Sequence, residues 1–328
     1  MKILITGSNG LLGQKVIYGL LGDPLCLIPD DIRKKIKTEV QIIATGKGEN
    51  RIHRKDGYVY ESADITNKTE IEKLFTKHKP DVVINTAAMT NVDACEIKRE
   101  ECWAANVTAM QYICDALELL PSPRGEGPGV RPHLIHISTD FVFDGMKGSE
   151  YAETDKPNPL HYYALSKLEG EKIVMKSKLK WAILRTIIVY GVVDGNTRSN
   201  LVLWVKNNLE KKQKINVIND QFRAPTLSED LAQVCITAAV KRAQGIYHVS
   251  GAKTYNILEL ANMMADFWKL DKSFIHPVTS AELNQPAKRP PYTGFIIDKA
   301  KRELGYNPRS FIEGLKIVDE QLKVSEKK

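Results

Sequence analysis

The chain has 328 residues, 43% of them hydrophobic and 27% charged, with a formal net charge of +7. Basic runs are short, as at Arg33-Lys34-Lys35-Ile36-Lys37 and in the tail Ser325-Glu326-Lys327-Lys328, so the charge argues for a solvated surface rather than a nucleic-acid interface. No apolar run approaches the 18 or so residues that a membrane span needs, and the length fits one large domain or two.

Five cysteines (Cys26, Cys95, Cys102, Cys114, Cys235) form no C-x-x-C pair and no zinc spacing. Reduced, buried thiols and no metal site are expected. The sequence opens directly into an apolar strand without a signal-peptide pattern, so a cytoplasmic protein is expected.

Lys2 to Thr6 reads as a buried parallel strand and Leu11 to Leu21 as the helix that follows. Between them, Gly7 permits a tight turn, Gly10 lets backbone approach a pyrophosphate, and Gly13 allows close helix–strand packing. A strand leading in and a helix leading out is the context this glycine motif requires. Val40 to Thr45 reads as the second strand. The residue after it separates the two nicotinamide cofactors, because an acid bonds a ribose 2′-hydroxyl and a base accommodates a 2′-phosphate. The turn reads Thr45-Gly46-Lys47-Gly48-Glu49-Asn50-Arg51. Lys47 and Arg51 favour NADPH, and Glu49 keeps NADH as the alternative.

Tyr58 to Glu61 reads as a short strand, followed by Ala63-Asp64-Ile65-Thr66 and a helix over Asn67 to His78 that Asp64 could cap. Asp81 to Asn85 reads as the fourth strand, and Val92 opens a long helix through Ala105-Asn106-Val107 to Leu119. A mid-helix asparagine such as Asn106 is commonly exposed. Pro121 to Pro132, rich in Pro and Gly, reads as a surface insertion without chemistry. His133 to Thr139 is the fifth strand and carries Ser138 and Thr139 to its carboxyl end, where ligands sit in open α/β sheets.

Tyr163-Ala164-Leu165-Ser166-Lys167 follows. Four residues apart on a helix, the phenol and the amine share a face, and an ammonium so placed lowers a phenol's pKa and makes it an acid–base group at neutral pH. Alone, the same spacing also fits an exposed amphipathic helix. His161 and Tyr162 beside it suit packing or a substrate rim equally. Trp181 to Arg185 is the sixth strand, and Ile188-Val189-Tyr190-Gly191 leaves the sheet. Helices are expected over Asn200 to Lys211, Leu227 to Arg242 (amphipathic), Ile257 to Trp268, Asp298 to Leu304 and Phe311 to Lys323, with Gly245 to Val249 returning to the sheet.

In this order the motifs resemble the extended short-chain dehydrogenase/reductase family, with G-x-x-G-x-x-G at Gly7, Gly10 and Gly13 and the Tyr163–Lys167 pair. Within it, four stretches are similar to the dTDP-4-dehydrorhamnose reductase branch: Asn85-Thr86-Ala87-Ala88-Met89-Thr90-Asn91-Val92-Asp93, Ser138-Thr139-Asp140-Phe141-Val142-Phe143-Asp144-Gly145, Leu184-Arg185-Thr186 and Asn219-Asp220-Gln221-Phe222-Arg223-Ala224-Pro225-Thr226. The resemblance covers roughly residues 1 to 310.

It implies an α/β fold, a Rossmann doubly wound parallel sheet with a smaller, discontinuous C-terminal substrate domain. The expected division is residues 1–186 plus 225–249 for the dinucleotide and 187–224 plus 250–328 for the substrate. The implied activity is NAD(P)H-dependent reduction of a nucleotide-linked 4-keto sugar. Tyr163 would donate the proton, Lys167 would hold the nicotinamide ribose and depress the tyrosine pKa, and Thr139 would bond the reacting oxygen. Besides that pair, the resemblance gives the cofactor Gly7, Asn9, Gly10, Leu11, Leu12, Gly13, Lys47, Asp64, Ile65, Ala87, Ala88 and Asn106. Asp64 and Ile65 would flank the adenine, and Asn106 would hold the lysine through a water relay. Ser138, Asp140, Gln221 and Arg289 would meet the substrate, and a homodimer is left open.

Two departures concern the pocket rim. Branch members read Arg-Thr-Ser-Trp-Val-Tyr-Gly where this chain has Arg185-Thr186-Ile187-Ile188-Val189-Tyr190-Gly191, and Arg-Pro-x-Asn-Ser where it has Arg289-Pro290-Pro291-Tyr292-Thr293. The alternatives are another extended-family nucleotide-sugar epimerase or reductase, and a non-catalytic subunit resembling the regulatory subunit of methionine adenosyltransferase.

Overall fold

The computed structural model of the chain describes residues 1–120, 131–195 and 200–325. β1 (Lys2–Thr6) leads into α1 (Leu11–Leu20), α2 (Asp30–Glu39), β2 (Gln41–Gly46), β3 (Val59–Ser62), α3 (Lys68–His78) and β4 (Val82–Asn85). Then come α4 (Val92–Ile97), α5 (Arg99–Trp103), α6 (Ala109–Glu118), β5 (His133–Thr139), α7 (Tyr162–Lys176) and β6 (Lys180–Thr186). The remainder runs β7 (Val189–Tyr190), α8 (Leu201–Glu210), β8 (Ile215–Ile218), β9 (Phe222–Arg223), β10 (Thr226–Leu227), α9 (Ser228–Lys241) and β11 (Gly245–Val249). It ends with β12 (Tyr255–Asn256), α10 (Ile257–Trp268), β13 (Ile275–Val278), α11 (Ser280–Leu283), β14 (Tyr292–Thr293), α12 (Asp298–Leu304) and α13 (Phe311–Ser325).

Seven strands form one sheet in the order β11-β6-β5-β4-β1-β2-β3, every pairing parallel. The order reverses at β1, with β2 on one side and β4 on the other, so the carboxyl ends of β1 and β4 flank the point where such sheets bind ligands. Side chains alternate between faces. Ile3 and Ile5 join Val16 and Ile17 of α1 and Leu231 and Val234 of α9, whereas Leu4 joins Ile71, Leu74 and Phe75 of α3 and Met110 of α6. Val82 and Ile84 against Val83 repeat the pattern on β4. Both faces of the central strands are covered by helices, which is why β1 and β4 read as apolar runs. Burial of each such side chain contributes about 1.5–3 kcal/mol.

A third core holds Val202, Val205 and Leu209 of α8, Leu260 and Met264 of α10, and Phe311, Leu315 and Val318 of α13. The small sheets β10-β7, β12-β9-β14 and β13-β8 accompany it.

Several sequence expectations change. The basic run at 33–37 lies on α2, a helix the apolar pattern did not announce, with only Ile32 and Ile36 turned inward. The long helix expected from Val92 to Leu119 is broken at Lys98, which leaves helical geometry at φ −109°, ψ 60°. It is distorted again by a π turn over Ala104–Thr108. Helix α9 is not amphipathic. It is buried from Ser228 through Ala239, and its acids are neutralised in place, Glu229 by Lys15 at 3.0 Å and Asp230 by Arg309 at 2.7 Å. The expected insertion from Pro121 to Pro132 lies outside the described residues except for Arg131 and Pro132.

Candidate active site

The glycine-rich turn closes because it lacks side chains. Gly7 sits at φ +68°, and a Cβ there would lie 2.6 Å from the Ala87 nitrogen. A Cβ on Gly13 would lie 2.4 Å from the Gly7 carbonyl oxygen. No side chain caps α1 at Gly10, so the first-turn N–H groups and the positive end of the helix dipole are available to an anion. Gly10, Leu11, Leu12 and Gly13 line a cavity of about 400 Å³ together with Ala87, Ala88, Ser138, Thr139, Asp140, Tyr163 and Lys167. A hollow with a bare helix N-terminus, two alanines and no intruding side chain at the glycines fits a dinucleotide.

Tyr163 and Lys167 stand on α7 and are both buried. His161 starts that helix, its Nδ1 accepting from the Ala164 N–H at 3.2 Å, and its ring stacks on Tyr163 with centroids 6.0 Å apart. Burial raises the Tyr163 phenol above its ordinary value, the Asp140 charge adds to this, and a hydrogen bond with Thr139 opposes it. The expected depression by Lys167 is therefore not found. The same burial pulls Lys167 itself down to about 8, against the opposing pull of Glu171, so the amine has less charge to lend.

Asp140 lines the cavity, but its oxygens are engaged. Oδ1 accepts from Thr139 Oγ1 at 3.0 Å, Oδ2 accepts from Thr293 Oγ1, and Arg223 Nε lies 3.7 Å away. Burial raises the Asp140 carboxyl, with Arg223 opposing. Asp140 thus braces Thr139 from behind. Ser138 Oγ, in contrast, is buried with no partner among the described residues. Asn106 is not exposed. The π turn rolls it inward, where Oδ1 accepts from Met89 N at 2.9 Å and Nδ2 donates to Met89 O and Ser166 Oγ, each at 3.0 Å. It therefore fixes the segment after β4 and the helix carrying Lys167.

Further along the crevice, Asn9 Nδ2 donates to Glu49 O at 2.8 Å and its Oδ1 accepts from Arg51 N at 2.9 Å, tying the glycine turn to the loop after β2. Lys47 lies 2.8 Å from Asp64 and is 83% exposed. Asp64 does not cap α3; that role belongs to Asn67. Ile65 packs at the edge of the core behind β2. Gln221 and Arg289 do not join the first cavity. They line a second one of about 670 Å³, where Gln221 Nε2 donates to Ser280 Oγ at 2.8 Å and Arg289 is paired with Asp93 at 2.8 Å. Ile188, at one of the two departures, lines the first cavity at φ +32°, an uncommon backbone for a β-branched residue.

Sequence reasoning gave no individual role to Asn85, His136, Arg223 and Thr293, all buried polar groups behind the crevice. The available signal was a histidine inside the otherwise apolar run Leu134-Ile135-His136-Ile137.

The sequence model of the RmlD substrate binding domain family matches residues 1–324. A dTDP-4-dehydrorhamnose reductase of Aggregatibacter actinomycetemcomitans is 31% identical, covering 97% of this chain and 98% of its own. Methionine adenosyltransferase 2 subunit beta of Xenopus tropicalis is 30% identical, covering 85% of this chain and 75% of its own. The crystal structure of a dTDP-4-dehydrorhamnose reductase from Clostridium acetobutylicum superposes with a TM-score of 0.80 at 28% identity, over 98% of this chain and 100% of that one.

Proposed function

The chain belongs to the RmlD substrate binding domain family, and from that premise we propose that it is an NAD(P)H-dependent reductase of a nucleotide-linked 4-keto sugar. The observation that carries the reading is the convergence of Thr139, Tyr163 and Lys167 on the cavity that the glycine turn also lines. When bound there, a reduced nicotinamide supplies the hydride. Tyr163 gives its proton to the carbonyl oxygen as that oxygen gains charge; a phenol is protonated at neutral pH, as an acid in the reducing direction must be. Asp140, which accepts the Thr139 proton at 3.0 Å, holds that hydroxyl beside the same oxygen, and Thr139 turns its proton to the oxygen when the carbonyl is bound. Lys167 holds the nicotinamide ribose, and Ser138 offers its hydroxyl, unpartnered among the described residues, to the sugar.

NADPH is the preferred cofactor in this reading, because Lys47 and Arg51 follow β2 and basic groups there suit a 2′-phosphate. The nucleotide is dTDP, supported by the Aggregatibacter relative's name, with Gln221 and Arg289 in the second cavity meeting the diphosphate and base.

A second reading is favoured by the 30% identity to the Xenopus tropicalis subunit: a nucleotide-binding subunit without catalysis. One experiment separates the two. A panel of nucleotide 4-keto sugars is offered with NADPH and with NADH, and nicotinamide absorbance is followed. Net oxidation, faster with NADPH, supports the reductase. Catalysis without net oxidation points to an epimerase, a strong NADH preference overturns the cofactor choice, and turnover of no sugar favours the binding subunit.

A further inference from the structure

The amine of Lys167 faces a donor. Its Nζ lies 3.4 Å from Nε2 of His136, inside the protein. The other ring nitrogen, Nδ1, lies 3.2 Å from Asn85 Nδ2. That same Nδ2 donates to the Met110 sulfur at 2.8 Å, and Thr6 Oγ1 donates to Asn85 Oδ1. A thioether sulfur can only accept, so the nitrogen of the Asn85 amide, not its oxygen, faces Met110 and His136. Nδ1 is then an acceptor without a proton, and the single proton of the neutral imidazole sits on Nε2. Burial keeps the ring neutral, well below the ordinary histidine range.

The donors therefore run one way across three neighbouring strands, from Thr6 on β1 to Asn85 on β4 to His136 on β5, and end at Lys167. A lysine nitrogen accepts a hydrogen bond only as the amine. The other titratable groups around it are Tyr163 and Glu171 on α7 and Cys102 on α5. Glu171 is already held by Arg185 of β6 at 2.9 and 2.7 Å.

We propose that His136 is a positioning residue for Lys167, presenting a fixed Nε2–H that favours the amine over the ammonium until a dinucleotide fills the crevice. The inference rests on the reading of Lys167 as the residue that holds the ribose. The ribose hydroxyls are best met by the ammonium, which has three donors, so dinucleotide binding takes up a proton at Lys167. His136 sets the pH at which that uptake begins.

The test is NADPH binding by nicotinamide fluorescence from pH 6.5 to 10, on the full chain, for wild type, Lys167→Met, His136→Met and Asn85→Asp. Wild-type affinity should fall as pH rises past the ionisation of Lys167, and Lys167→Met should remove that break. His136→Met, whose sulfur accepts but cannot donate, should move the break up by about one pH unit, tenfold in the ammonium-to-amine ratio. Asn85→Asp should take the Nδ1 proton, turn Nε2 into an acceptor, and move the break at least as far. Added to His136→Met, Asn85→Asp should move the break no further, whereas a further rise would mean that the new carboxylate acts directly and would overturn the relay. If His136→Met does not fold, His136→Leu, which also lacks a donor, takes its place in the single and the double variant. A break that Lys167→Met removes but that both other variants leave in place overturns the role of His136 while sparing the contact of Lys167 with the ribose. A break that is absent, or that survives in Lys167→Met, removes both.

Discussion

Arg289, in the loop before β14, holds both carboxylate oxygens of Asp93 on α4, through Nη1 at 3.0 Å and Nη2 at 2.8 Å. Asp93 also accepts the Ala287 N–H at 3.3 Å, so the loop is anchored to the helix that follows β4. An arginine engaged in this way must share or exchange its partner to meet a diphosphate.

Replacing Arg289 with Ala should raise KM for the nucleotide sugar about tenfold to a hundredfold, the equivalent of about 1.5–3 kcal/mol for charge-assisted bonds, with kcat little changed. Asp93→Asn should not raise KM. Equal effects of the two variants on KM, in steady-state kinetics, would mean that Arg289 serves only as the anchor.

The glycine turn gives a second prediction. Gly13→Ala places a Cβ 2.4 Å from the Gly7 carbonyl and 2.8 Å from the Ser8 Cα, both backbone atoms. The turn must open, and the Kd for NADPH should rise more than tenfold while the melting temperature changes by a few degrees. Calorimetric titration reads the first and thermal unfolding the second.

A third concerns stability. Glu171 and Arg185 form a buried bidentate pair with side chains 0% and 2% exposed. Glu171→Gln leaves a buried guanidinium without its counter-charge and should cost about 3–5 kcal/mol, measured by urea unfolding. Replacing both residues together by apolar ones of similar size should cost less, because no charge is then stranded.

Acid should destabilise the fold through its buried histidines. Burial pushes His133 down to about 4, although its bond to the Ala243 carbonyl opposes this. The folded pKa lies below the unfolded value near 6.5, so the unfolded chain binds the extra proton first. Stability is kept above about pH 6.5 and lost as pH falls toward 4, by on the order of 3 kcal/mol from this residue. Urea midpoints at pH 7 and 4.5 should differ less in His133→Gln than in wild type.

Much of the frame was legible because parallel strands covered on both faces are written as short apolar runs, and Gly7, Gly10 and Gly13 sit where only small residues fit. The position of Tyr163 and Lys167 followed from one helical turn. What escaped was set by distance along the chain. The partner of Arg289 is Asp93 and that of Asp140 is Thr293, pairings that no local pattern encodes. The inward turn of Asn106 depends on a π turn, which a 3.6-residue period hides. Helix α2 was readable in principle, since Ile32 and Ile36 stand four apart inside the charged run. The lowered tyrosine pKa was a deduction from charge alone, and burial reversed it.

The most direct test of the central claim is the turnover of Tyr163→Phe with NADPH and a nucleotide 4-keto sugar, alongside its NADPH Kd. With Tyr163 as the proton donor, kcat should fall about a hundredfold or more while the Kd stays within a few-fold of wild type. Turnover close to wild type in that variant would contradict the assignment.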